Sequence, residues 1–126
     1  MNKDDLKSLF SRVRATPVRL PELGEDAVVY LRPMLVEQLL DIERTKPADD
    51  ADPRARAEWM ARAVVYAVAD QGGQPLLSAA DVPWVMQWPG SCLGRVFREA
   101  AALSALTDER VEGAAKNLDA ARPAWP

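Results

Sequence analysis

A chain of 126 residues, 48% apolar and 28% charged, has the length of one domain and enough apolar content for one core. Sixteen Lys and Arg against nineteen Asp and Glu leave a formal charge of −3, which argues against a bulk polyanion binder. With no histidine and a single cysteine, Cys92, the chain lacks Ser-His-Asp and Cys-His triads, histidine zinc sites and any intrachain disulfide.

Asp4 to Arg14 places Leu6, Leu9, Phe10 and Val13 at helical spacing, with Asp4 and Asp5 where a helix start favours negative charge. Thr16-Pro17 is expected to end this amphipathic helix, because the residue before proline is driven out of the helical region. Val18 and Leu20, then Val29 and Leu31, share strand faces across the Pro21–Asp26 loop, which predicts a β-hairpin. Leu35, Leu39 and Ile42, with Val36 and Leu40 beside them, predict a helix ending near Arg44. The polar connector Pro47–Pro53 reads as an exposed loop, since its three Asp lack the Gly and distal Glu of a calcium loop.

Arg54 to Asp70 is the clearest helical pattern, and Trp59 within it reads as a core residue. Gly72-Gly73 and Pro75 follow as a stop signal. Ser78-Ala79-Ala80-Asp81 resembles a capping box and opens a helix carrying Val82, Val85 and Met86, closed by Trp88-Pro89-Gly90. A further helix is predicted from about Cys92 to Leu106, and a short last one from Thr107 through Val111 and Leu118. The predicted fold is α+β, mainly α: an N-terminal hairpin packed with about five or six short helices. One domain is expected over residues 1–118, with a frayed tail over 119–126.

Residues 1–20 have no apolar signal core, and the longest near-apolar stretch, Ala63–Ala69, is far short of the ~20 residues of a membrane span. A water-soluble cytoplasmic protein is the expectation. Phosphate-loop, dinucleotide and CxxC signatures are missing, and Gly72-Gly73 follows a helix where a phosphate cradle would precede one. Cys92 has no histidine to activate it and reads as a small buried hydrophobe. Asp49 with Asp50, and Asp108 with Glu109, are accounted for by solvation and capping. No catalytic residue, cofactor or metal ligand is therefore assigned. The basic residues Lys3, Lys7, Arg12, Arg14, Arg19, Arg54, Arg56 and Arg62 are diluted by acids and have no interleaved aromatics, so nucleic acid is not expected as a partner.

Trp84 and Trp88 lie four apart, on the side of their helix away from Val82, Val85 and Met86. Both sides of so short a helix cannot enter one small core. The readings left open are packing of both indoles on a neighbouring helix, or a protein-contact surface of Trp84 and Trp88 with Met86 nearby.

Three segments carry a resemblance. Leu20-Pro21-Glu22-Leu23-Gly24 followed by Val29–Met34, Ala67–Leu77, and Leu93 through Asn117 resemble, in order and spacing, the small tail assembly chaperones of long-tailed phages and prophages. Leu103-Ser104-Ala105-Leu106 stands where that family commonly shows Leu-Asn-Gly-Leu. The resemblance implies a non-catalytic protein that binds the tape measure protein in the host cytoplasm. There it would keep that client soluble while tail tube protein polymerises around it, and be absent from the mature virion. It implies no cofactor, no metal, no membrane and no nucleic acid; self-association stays open. The alternative is a head-tail connector or tail completion protein retained in the particle.

Overall fold

The computed structural model describes residues 1–104. Leu106, the last helix predicted around Val111–Leu118 and the tail 119–126 lie outside the described residues. The α1 helix (Lys3–Phe10) is closed at its start by a reciprocal cap. The Asp5 backbone N–H donates to Asn2 Oδ1 at 2.8 Å, and the Asn2 N–H donates to Asp5 Oδ2 at 3.2 Å. It stops at Phe10, sooner than Thr16-Pro17 would require, because Ser11 already caps it and Arg12 and Val13 follow in looser three-residue turns.

The predicted hairpin is present. Strand β1 (Thr16–Arg19) pairs antiparallel with β2 (Val28–Leu31), with Val18 opposite Val29, around a 3₁₀ turn at Pro21–Leu23. Val18, Leu20 and Leu31 turn into the core. Helix α2 (Val36–Thr45) buries Ile42 and half-buries Leu39, while Leu35, Val36 and Leu40 stay on the surface.

Helix α3 (Pro53–Ala67) starts on the Asp52 side chain, which accepts from the Ala55 N–H at 2.7 Å, with Pro53 in the first turn where its missing donor costs nothing. It ends three residues before the predicted Asp70. Val68 and Ala69 instead extend as β3, opposite Leu31 and Tyr30, giving a three-stranded antiparallel sheet in the order β1-β2-β3. Valine favours extended backbone, and here it supplies the second partner of β2 beside the buried Leu31.

A 3₁₀ turn at Ala79–Asp81 opens on Asp81, whose carboxylate accepts from the Ser78 N–H at 2.8 Å, and leads into the single-turn α4 (Val82–Val85). The last described helix, α5 (Gly90–Leu103), crosses α3 in the most extensive contact among the described helices. Ala61 and Ala67 on α3 and Ala100 on α5 are fully buried, and side chains this small let the two helices approach closely. The main core joins sheet, α3, α4 and α5 around Leu31, Val64, Val85 and Val96. A second cluster of Met34, Ile42 and Ala63 attaches α2, with Phe97 packed against both and 5.5 Å from the Trp59 ring. Trp59 is half-buried there and donates from Nε1 to the Ile42 carbonyl at 2.8 Å, in line with its core reading.

Two polar contacts lock the topology. Arg32 Nη1 donates to the Gly73 carbonyl at 2.8 Å, and the Met34 N–H donates to Ser104 Oγ at 2.9 Å. Ser104 occupies the place where the resemblance expects Asn, and its hydroxyl oxygen serves as the acceptor that an amide oxygen could also provide. Gly73 has φ +89°, and a Cβ there would lie 2.7 Å from the Val13 carbonyl oxygen. Gly73→Ala is expected to cost about 2 kcal/mol or more and lower Tm by roughly 6 °C. Gly90→Ala, where a Cβ meets open space, is expected to change stability by less than about 1 kcal/mol. Paired thermal melts check both.

Candidate functional site

The α3–α5 and sheet packing presents α4 on the surface with only Val85 turned fully inward. Val82, Met86 and Trp88 around it pack half-buried against the main core, while Trp84 points outward. Trp84 is 54% exposed. Trp88 is half-buried against the main core, and the two indoles meet edge to face with centroids 5.5 Å apart and planes at 89°. The structure thus brings the predicted pair together, but divides their roles: Trp88 anchors, Trp84 projects. Met86 is also half-buried and faces a groove of about 380 Å³ between α3 and α4. Val65, Val82 and Pro83 give this groove an apolar side, and Arg54, Glu58 and Arg62 give it a charged rim.

Behind that rim is an ionic network that the sequence reading did not identify. Asp41 on α2 accepts from Arg44 at 2.5 Å, from Arg62 Nε at 2.8 Å and from the Tyr66 hydroxyl at 2.5 Å. Its carboxyl is held at about 2, below the ordinary 3.8, first by the Arg62 guanidinium and then by the Tyr66 hydroxyl. The Tyr66 phenol is raised in turn, first by the hydrogen bond it donates to this carboxylate and then by its burial. Only the four-residue step from Arg62 to Tyr66 on one helix face was visible in the sequence; their partner on α2 was not.

A second ion pair joins Glu22, in the Pro-Glu-Leu-Gly turn, to Arg95 on α5. The Glu22 carboxyl is lowered by its own backbone N–H and then by Arg95. Cys92 lies beneath it at 1% exposure, with Sγ 3.8 Å from Glu22 Oε2. A thiol so enclosed meets no substrate, and the paired carboxylate is engaged in holding the hairpin turn to α5. Among the described residues no group of three His, Cys, Asp or Glu is placed to hold a metal ion, and no helix is long and apolar enough to cross a membrane. What the surface offers is apolar contact area with charged edges, which suits binding another polypeptide.

No protein-family model matches the sequence, and no curated protein matches it. Among solved structures the chain is similar to the bacteriophage HK97 tail assembly chaperone, with a TM-score of 0.62 at 21% sequence identity. The alignment covers 80% of this chain and 98% of that one. The likeness shows a shared fold, the same one the motif order pointed to.

The Asp41 network predicts a pH dependence. Its carboxyl is lower in the folded state than in the unfolded, so the stabilisation is complete above 3.8 and is lost as pH falls toward 2. Urea midpoints measured from pH 5 down to pH 2 are expected to fall less steeply for Asp41→Asn, which starts from lower stability, than for the wild type.

Proposed function

We propose that this protein is a tail assembly chaperone of a long-tailed phage or prophage. It binds the tape measure protein in the bacterial cytoplasm, keeps that client soluble while tail tube protein polymerises, and leaves before the particle is complete. The observation that carries this reading is the fold shared with the HK97 tail assembly chaperone over nearly the whole length of that protein. The surface chemistry agrees with it. A chaperone works by reversible shielding and needs exposed apolar anchors on a body that does not itself aggregate. Trp84, held edge to face by Trp88 beside the Met86 groove, is such an anchor. The Trp84, Met86 and Trp88 surface is accordingly assigned to the client.

Co-expression with the tape measure protein is expected to raise the soluble fraction of that client, and Trp84→Ala to reduce the gain. An aromatic anchor contributes about 2 kcal/mol to binding, roughly thirtyfold in affinity. Loss of the ring pair costs the fold only about 1 kcal/mol. Equal client solubility with the Trp84→Ala protein removes these residues from the interface. Mass spectrometry of purified virions separates the chaperone, which should be missing, from a completion protein, which would be present.

A further inference from the structure

The described residues stop at Ser104, and the place where the chain leaves them is fixed. Ser104 caps α5, and its Oγ accepts from the Met34 N–H at 2.9 Å. Met34 is followed by Leu35, which opens an apolar face. Leu35, Val36 and Leu40 are 47%, 74% and 60% exposed, and neither core cluster includes them. Val36 and Leu40 stand four apart on one side of α2, turned away from the buried Ile42. Helix α2 also runs back along α5. It begins beside Ser104, and its Ile42 lies in the cluster that Phe97 joins, about two turns before the end of α5.

The sequence that follows Ser104 suits this face. Val111, Ala115 and Leu118 recur at four- and three-residue steps, the stripe of one helix side. Only Ala105 and Leu106 separate Ser104 from the Thr107 cap. A link that short returns the next helix antiparallel to α5, which is the direction α2 takes. A helix over 107–118 would span about 18 Å, against about 15 Å for α2. With Gly113 inside it, so short a stretch does not hold a helix alone in water and needs a surface. Charge does not choose the occupant, since Asp108, Glu109, Arg110, Glu112 and Lys116 face Glu37, Glu43 and Arg44 with both signs on each side. The tether chooses it. Three side chains fall well below the ~1,200 Å² that a free helix or a second copy would need, whereas a segment of the same chain arrives at an effective concentration on the order of millimolar.

We propose that residues 105–118 fold back as a helical cover on α2, running alongside it with Val111, Ala115 and Leu118 over Leu35, Val36 and Leu40. The contact is autoinhibitory in form, because it withholds an apolar face that its loss would release. That a released face would serve the tape measure protein rests on the chaperone reading; the cover itself does not.

Hydrogen exchange of the full chain, read by mass spectrometry, tests the cover. Residues 107–118 are expected to exchange at least tenfold more slowly than an unstructured chain, equally at low and at hundredfold higher protein concentration. The V36S/L40S protein is expected to lose that protection, while α3 and α5, read in the same experiment, report that the body stays folded. The L6S/F10S protein, altered on the exposed α1, is expected to keep it. Binding of the apolar dye bis-ANS is expected to rise at least twofold in V111S/L118S and to return to the wild-type level when V36S/L40S is added. Absence of protection over 107–118, protection that V36S/L40S leaves intact or L6S/F10S removes, protection seen only at the higher concentration as a second copy would give, or unchanged dye binding overturns the proposal. If the cover behaves as expected while co-expressed tape measure protein stays insoluble, the cover stands and the chaperone reading falls.

Discussion

The fold depends on strand β2 having a partner on each side. Leu31 is fully buried, so the backbone donors and acceptors around it are cut off from water and must be bonded within the chain. The hairpin supplies β1 on one side. The other side is supplied by the end of α3, where Val68 and Ala69 leave the helix to face Leu31 and Tyr30, and the Arg32 N–H donates to the Ala67 carbonyl at 2.9 Å. That handover sets the turn after it: Asp70 and Gln74 close on each other, and Gly73 comes to rest against Val13. One backbone requirement therefore fixes where α3 stops, how the sheet is completed and where the N-terminal arm begins.

Much of this was legible in the residues. Two-residue periodicity across a Pro-Gly loop gave the hairpin and its inward face, and three- and four-residue steps gave α2, α3 and α5 to within a few positions. Strand β3 was hidden because two extended residues directly after a helix leave no period of their own, and Val68 also continues the helical stripe of Val64. Its presence follows from what β2 needs, which is a tertiary fact. The Asp41 network was hidden for a related reason: no local spacing joins a carboxylate on α2 to Arg62 and Tyr66 on α3.

Patterning also marks an apolar face without saying whether anything covers it. Leu39 and Ile42 face inward, whereas Val36 and Leu40 on the same helix, Leu35 just before it, and the apolar residues of α1 face out. The Trp84 and Trp88 pair shows the same division within five residues. The domain closes its core around Leu31, Val64 and Val96 and still carries such side chains on its outside.

Hydrogen exchange read by mass spectrometry, with and without bound tape measure protein, tests this account most directly. Client-dependent protection is predicted over residues 82–88, with α3 and α5 already protected in the free protein and little changed. Protection confined to other surfaces, or none in a complex that demonstrably forms, would contradict it.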